Sequence, residues 1–222
     1  MKRGHWQILL AAALFLLALG LTLYPVVSNW YIGRHQSRIQ TEYREVLEQT
    51  DSAEIESIRE SAAAYNKTIT PGAAEEAYSQ ESIRAASEDY VNQLNVSGSG
   101  IMGYVEIPKI GVDLPIYHGT GADSLDRGTG HLLGSSLPVG GESIHTIITG
   151  HSGMASQKMF TDLEQLREGD IFYLHVLDET LAYEVREIHT VLPHDTTYLG
   201  IEPGEDLCTL VTCTPTGVNT HR

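Results

Sequence analysis

Three side chains in the second half of this 222-residue chain are of the types that a thiol acyl-transfer site needs. Cys213 closes an apolar, β-branched run that begins at Cys208, His151 lies in Thr-Gly-His-Ser-Gly, and Arg222 is the last residue. A thiolate attacks a carbonyl carbon, an imidazole pairs with it and protonates the leaving amine, and a guanidinium stabilises the oxyanion. These residue types therefore indicate nucleophilic catalysis by a cysteine.

The segment that carries the cysteine is expected to be extended. The Thr, Val and Leu residues between 206 and 213 favour a strand, and Cys213 would stand at its end. Pro215 and Gly217 then favour a turn, after which a returning strand starting near residue 218 would bring Arg222 beside the thiol.

His151 is predicted to follow an apolar strand at 144–149, on a glycine-flanked loop that lets its imidazole reach a strand end. The two cysteines leave opposite faces of one predicted strand, so a disulfide between them is disfavoured. Cys208 is interpreted as a small buried apolar residue.

Several motifs, in one order along the chain, resemble the sortase family of cysteine transpeptidases. Thr-Leu-Val-Thr-Cys213 fits the family signature Thr-Leu-x-Thr-Cys, and His151 and Arg222 match the family's histidine and arginine positions. Further similar segments lie at 100–112, 114–120, 130–141 and 160–163, so that the resemblance covers roughly residues 90–222. It is closest to the pilus-building class C sortases.

The resemblance implies a mainly β fold, an eight-stranded β-barrel with the cysteine at the end of strand seven and the arginine on strand eight. It implies cleavage of a Leu-Pro-x-Thr-Gly type sorting motif between Thr and Gly, a thioester with the Thr carbonyl, and transfer to an amine. That amine is a pilin lysine in class C enzymes and a cell-wall precursor in housekeeping relatives. By this resemblance Cys213, His151 and Arg222 are catalytic, Thr212 contacts substrate, and neither metal nor cofactor is needed.

The chain departs from the class C pattern in two places. These enzymes usually carry an Asp-Pro-aromatic lid before the catalytic domain, and no Asp-Pro occurs in this chain. We therefore expect any cover formed by residues 60–80 to be weakly held, with Ile69 as its apolar anchor. Class C enzymes also usually continue past the arginine, often to a second membrane segment, and the sequence leaves open whether the natural chain does so.

The stretch Ile8–Val27 is uncharged and about 20 residues long, enough to cross a bilayer as a helix. Lys2 and Arg3 precede it, which favours a cytoplasmic N-terminus and an extracellular remainder. A cleaved signal peptide is the alternative, with a small-x-small site at Ala18-Leu-Gly20. Because apolar residues continue beyond that site, we favour a single-pass anchor.

The remainder divides by composition into a helical region and a β-rich region. We expect an anchor over 1–28, a helical stalk or lid-like region over 29–100, and the catalytic barrel over 101–222. Helical spacing covers Trp30 to about Asn66 and Ala73 to Leu94, with a break at Pro71-Gly72. Strands are predicted near 102–107, 112–117, 144–149, 170–176, 181–191 and 206–213, with a short helix near 162–167.

Charge and motif spacing exclude other classes of function. The formal charge is −15, with 14 Lys and Arg against 29 Asp and Glu, which is a poor fit to nucleic-acid binding. The histidines lack the paired spacings of zinc sites, and no glycine-rich segment is followed by Gly-Lys-Ser/Thr. Two rivals stay open: a cysteine protease that mainly hydrolyses, and a non-catalytic surface binding module. The expected partners are pilins or other surface proteins with a sorting motif, together with the membrane.

Overall fold

The computed structural model describes residues 2–79, 87–154 and 157–222. Helices come first along the chain and a β-sheet follows. The helices are α1 (Lys2–Gln49), α2 (Ser52–Asn66), α3 (Ala73–Ser79), α4 (Glu88–Asn92) and, inside the sheet region, α5 (Ala122–Leu125). The predicted helical pattern up to Asn66 and the break at Pro71-Gly72 are confirmed, whereas residues 80–86 of the second predicted helix lie outside the described residues.

Helix α1 contains one stretch, His5–Tyr24, that is long and apolar enough to cross a membrane, with a mean hydropathy of 2.2. It overlaps the span expected from the sequence. Its large apolar side chains are exposed, as they would be toward lipid. Length and composition are also those of a signal sequence, so the anchor remains an expectation.

The C-terminal part of α1 docks on the sheet. Tyr43 is buried and meets Tyr104 edge to face, with 5.4 Å between ring centroids. Its hydroxyl donates to the Met102 carbonyl O (3.3 Å) and accepts from the Leu177 N–H (3.2 Å). The helix that would leave the membrane is therefore packed against the β-rich region.

Seven strands form one sheet within the described residues. They are β1 (Ile101–Ile107), β2 (Val112–His118), β3 (Thr129–His131), β4 (Ile144–Thr149), β5 (Ile171–Val176), β6 (Glu179–Glu184) and β7 (Asp206–Val211). Their order is β6-β5-β1-β2-β3-β4-β7, with parallel pairing only for β2–β3 and β4–β7. The Tyr183 hydroxyl donates to Asp206 Oδ1 (3.0 Å) across the two edge strands, so the sheet is nearly closed into a barrel.

The mainly β expectation is confirmed, with differences in detail. Strand β3 was not predicted, because three residues that include Gly130 are too few to show an alternation of apolar and polar side chains. The strand predicted to reach residue 191 ends at Glu184, and 3₁₀ turns occupy Pro108–Ile110 and Leu163–Gln165. The prediction of a strand from 218 is wrong for the described residues, where His221 makes only an isolated bridge to Thr214. The described chain thus has seven strands where eight were expected.

The main core lies between the strands and the helices that precede them. Alternating residues of the strands point into it, and α2 and α4 add apolar side chains to the same cluster. Its fully buried members include Val105, Ile107, Ile116, Ile148, Leu174, Phe160, Tyr90 and Leu94. Full burial of a large apolar side chain contributes about 1.5–3 kcal/mol, so this cluster holds the site-bearing loops on a rigid frame.

A buried polar contact joins α4 to the sheet. The Tyr90 hydroxyl lies 2.8 Å from Nδ1 of His131 and accepts from the Gly119 N–H (3.0 Å). Nε2 of His131 lies 2.8 Å from the Ser136 carbonyl O. These partners fit a neutral imidazole that donates from Nε2 and accepts from Tyr90 at Nδ1. Burial lowers the pKa of His131 to about 4.

We expect the stability of the fold to fall between pH 6.5 and 4 because of His131. In that window the unfolded histidine binds a proton while the buried imidazole, with its pKa of about 4, does not. The free energy of unfolding then decreases by about 1.4 kcal/mol per pH unit, to a total of about 3 kcal/mol. The measurement is urea unfolding of the full chain in detergent at several pH values.

The control is His131→Gln, which keeps a polar side chain and cannot be protonated. We compare slopes with pH, since the variant also changes the absolute stability. A His131→Gln slope equal to the wild-type slope would contradict the assignment of this pH dependence to His131.

Candidate active site

His151 and Cys213 follow two neighbouring parallel strands, each by two residues. Strands β4 and β7 end with Thr149 opposite Val211. The Gly150 N–H donates to the Val211 carbonyl O (3.0 Å), so the parallel pairing continues beyond the strand ends. Extending this register by two positions would set His151 opposite Cys213. Since neighbouring strands lie about 4.8 Å apart, the imidazole and the thiol leave adjacent backbone positions.

Arg222 reaches the other side of Cys213 through a short hairpin. Thr214 donates to the His221 carbonyl O (2.9 Å), and the His221 N–H donates back to the Thr214 carbonyl O (2.8 Å). In antiparallel pairing, the next position along is a pair without mutual hydrogen bonds, in which the two side chains are closest. That position joins Cys213 and Arg222. The register therefore places the thiol between His151 and the arginine.

The backbone and guanidinium of Arg222 are both held. Its N–H donates to the Val191 carbonyl O (2.8 Å) and its carbonyl O accepts from the Val191 N–H (2.9 Å). Nη1 donates to the carbonyl O atoms of Asn219 (3.2 Å) and His221 (3.1 Å). These contacts engage Nη1, one of the donor atoms of the planar guanidinium.

The loop that carries His151 is fixed by an aromatic ring. A Cβ at position 150 would lie 2.6 Å from Cδ2 of Phe160, so only glycine lets the loop cross this buried ring. The Phe160 N–H donates to the His151 carbonyl O (2.9 Å). Oδ1 of Asp126 lies 3.8 Å from Nε2 of His151. Because both side chains are well exposed, this pair contributes at most about 1 kcal/mol.

Two hydroxyl groups tie the histidine loop to the cysteine segment. Oγ1 of Thr212 donates to the Gly150 carbonyl O (2.8 Å), and Oγ of Ser152 donates to the Cys213 carbonyl O (2.6 Å). The Thr212 hydroxyl is thus engaged within the protein. Its expected contact with substrate stays a prediction.

The other cysteine has a different environment. Cys208 pairs with Thr146 across β4 and β7 and packs against the main core. Burial, followed by the nearby Asp206 carboxylate, raises the pKa of its thiol far above the ordinary value. Cys208 is therefore a protonated thiol. Neither cysteine is in a disulfide, as predicted.

Helix α3 covers the face of the sheet that leads to the site. Ala74 is buried in a cluster with four side chains of the sheet region, and Ala77 and Tyr78 pack against it. The cluster members from the sheet region are Leu132, Ile147, Leu199 and Val211. Val211 lies two residues before Cys213, so α3 stands beside the approach to the thiol. The contact uses small alanine side chains of α3, not the expected anchor Ile69.

Sequence reasoning missed several residues that this geometry uses. Asp126 follows a four-residue helix, and Ser152 follows the histidine without any spacing signal of its own. The glycines of Thr-Gly-His-Ser-Gly did indicate a tight loop, although not the ring that requires one of them. Among the described residues, no group of three or more His, Cys, Asp and Glu side chains is placed to hold a metal ion.

The sortase domain model matches residues 105–222, slightly more than half of the chain. The matched region contains the whole constellation of Cys213, His151 and Arg222. It begins inside β1 and covers every later strand of the sheet.

Known structures and curated proteins agree with this match. Sortase C of Streptococcus pneumoniae, which has pilin substrate specificity, is 44% identical, with a TM-score of 0.74 over 83% of this chain and 92% of that one. Sortase C1 of Streptococcus agalactiae is 40% identical, with a TM-score of 0.74 over 83% of this chain and 94% of that one. Sortase A of Streptococcus agalactiae is 25% identical over 209 residues, which are 93% of this chain and 77% of the relative.

The matched domain and the shared fold agree with the motifs around the cysteine, histidine and arginine. The chain therefore belongs to the sortase family of cysteine transpeptidases, and class C pilin sortases are among its structural neighbours.

Proposed function

We propose that this sortase cleaves a Leu-Pro-x-Thr-Gly type motif of surface proteins between Thr and Gly and joins the released acyl group to a pilin lysine. Cys213 attacks the Thr carbonyl and forms a thioester, and His151 gives its proton to the departing amine. Arg222 binds the oxyanion and neighbouring carbonyl groups. The lysine amine then attacks the thioester, which leaves an isopeptide bond and a free thiol.

The observation that carries this proposal is the register around Cys213. The parallel register of β4 and β7, extended by two positions, supports His151 on one side of the cysteine, and the Thr214–His221 bridge supports Arg222 on the other. A base and an oxyanion donor on opposite sides of a thiol match the two tasks of acyl transfer.

The pilin acceptor is supported by the neighbours of the fold. The sortase C of Streptococcus pneumoniae resembles this chain over most of both lengths and has pilin substrate specificity. A cell-wall precursor as acceptor, or water in a hydrolytic reaction, are the competing outcomes of the same thioester chemistry.

We propose a single-pass membrane anchor with the catalytic region outside the cell. The apolar stretch of α1 and the preceding Lys2 and Arg3 support that orientation. The chain would divide into an anchor (1–28), a helical region docked on the barrel (29–100) and the catalytic region (101–222).

The test incubates the full chain, in detergent micelles, with a pilin that carries both the sorting motif and the acceptor lysine. The expected product is a ladder of SDS-resistant multimers whose isopeptide bond is identified by mass spectrometry. Cleaved pilin without multimers would favour hydrolysis, and transfer only to a wall-precursor amine would favour the housekeeping role. No cleavage at all would reject the proposed substrate class.

We expect Arg222→Lys to lower the rate of acylation by a sorting-motif peptide by about a hundredfold. Lysine keeps the charge, but one ammonium cannot reproduce a planar fork that holds two acceptors, and losing one oxyanion donor costs about a hundredfold to a thousandfold. The measurement is single-turnover formation of the acyl-enzyme, followed by mass spectrometry.

The matched control is Arg186→Lys, because the Arg186 guanidinium pairs with Glu202 on the surface of the chain, away from the cysteine. We expect it to react within twofold of wild type. An Arg222→Lys variant that acylates within threefold of wild type would make this arginine a surface charge.

A further inference from the structure

One peptide unit connects all three candidate catalytic residues. Its carbonyl group belongs to Cys213 and accepts from Oγ of Ser152 (2.6 Å). Its N–H belongs to Thr214 and donates to the His221 carbonyl O (2.9 Å). A peptide unit is planar and rigid, so the two hydrogen bonds hold opposite edges of one peptide plane.

The two groups that bond to this peptide plane belong to residues next to the other two candidate catalytic residues. Ser152 directly follows His151, and His221 directly precedes Arg222. The orientation of this plane therefore contributes to the mutual position of the thiol, imidazole and guanidinium.

Few other contacts could replace the Ser152 bond. The parallel pairing of β4 and β7 ends before it, and the next residue, Gly153, has a φ of +71° and turns the loop away. At Gly153 the loop and hairpin touch, since a Cβ there would lie 2.9 Å from Cγ2 of Thr216. Among the described residues, the hydrogen bond from the Ser152 hydroxyl is thus the last one along the chain between the histidine loop and the cysteine segment.

Loss of that bond acts on the arginine side of the site. Without it the Cys213 carbonyl edge of the peptide plane has lost its partner, and the plane is held on its other edge by the bond between the Thr214 N–H and the His221 carbonyl O. The hairpin register that carries Arg222 then loosens. Acyl transfer depends steeply on alignment, and a misplacement of about 1 Å costs about a hundredfold in rate.

We infer that Ser152 is a positioning residue, whose hydroxyl aligns His151, Cys213 and Arg222 through the peptide unit after the cysteine. The effect on turnover rests on the proposed function, because the aligned reaction is acylation by a sorting motif. The effect on the hairpin does not.

The first arm of the test measures kcat and KM of the full chain in detergent with a Leu-Pro-x-Thr-Gly peptide. We expect Ser152→Ala to lower kcat about tenfold or more with KM within threefold, and Ser152→Thr, which keeps a hydroxyl, to stay within threefold of wild type. The matched control is Ser124→Ala, since Oγ of Ser124 also donates to a backbone carbonyl, that of His118 at the end of β2 (2.8 Å). We expect this variant to keep kcat within twofold while its thermal midpoint falls as much as that of Ser152→Ala.

The second arm needs no substrate and measures amide hydrogen exchange. We expect Ser152→Ala to speed exchange of the Thr214 and His221 amides about tenfold or more, and Ser124→Ala to leave both unchanged. Unchanged exchange in Ser152→Ala, a kcat within threefold of wild type, or a Ser152→Thr variant as slow as Ser152→Ala would each overturn the inference. A wild-type chain that is not acylated by the peptide would reject the proposed substrate, and the exchange result alone would then decide the role of Ser152.

Discussion

Cys213→Ala is expected to abolish the acyl-enzyme, whereas Cys208→Ala is expected to keep at least a third of the wild-type activity. Cys213 stands past the end of β7, half-buried, between the backbone positions of His151 and Arg222. Alanine at this position removes the sulfur atom that forms the thioester in the proposed reaction. The rate of acyl-enzyme formation should then fall below detection, because no other step of the proposed reaction can begin.

Cys208 is the matched control, since it is a second free thiol on the same strand. Its burial raises its pKa, so it holds no reactive thiolate near neutral pH. Its replacement by alanine removes one buried atom and costs about 1 kcal/mol of stability. The measurement is acyl-enzyme formation by intact-protein mass spectrometry on folded variants. Equal loss of acyl-enzyme formation in the two variants, both folded, would contradict the assignment of Cys213 as the nucleophile.

Strand positions followed from the sequence where one face of the strand is buried. The apolar run at 144–149 was predicted with its observed bounds, because four of its six residues are buried. The strand from residue 181 was predicted too long, because the pattern of apolar residues continues after Glu184 although the pairing with β5 stops there. Pairing depends on a neighbour elsewhere in the chain, and a local pattern does not contain it.

The residues proposed for catalysis could be selected from their chemical types and motifs, but the contacts that align them could not. Ser152 and Thr212 are ordinary hydroxyl residues, and each acquires its role from a partner about 60 positions away. The same holds for α3. Its alanines predict a helix from the sequence, but they do not predict that this helix packs against Val211. Short-range patterns identify elements, whereas the site depends on the register between them.

The position of the histidine in that register leads to the last prediction. His151→Ala is expected to be nearly as severe as Cys213→Ala, with acylation by a sorting-motif peptide below about a thousandth of the wild-type rate. Removing the imidazole takes away both the partner of the thiolate and the proton donor for the leaving amine, and groups that act as one unit show strongly non-additive losses. The measurement is single-turnover acylation of the full chain in detergent.

The control is His194→Ala, because His194 is exposed and lies outside the pairing of β4 with β7. We expect this variant to react within twofold of wild type. The double variant His151→Ala/Arg222→Lys should be little slower than His151→Ala alone, since a site without its base gains little from oxyanion stabilisation. If His151→Ala kept a tenth of the wild-type turnover, the base would have to be another residue. The parallel register of β4 and β7 would then no longer support a catalytic role for His151.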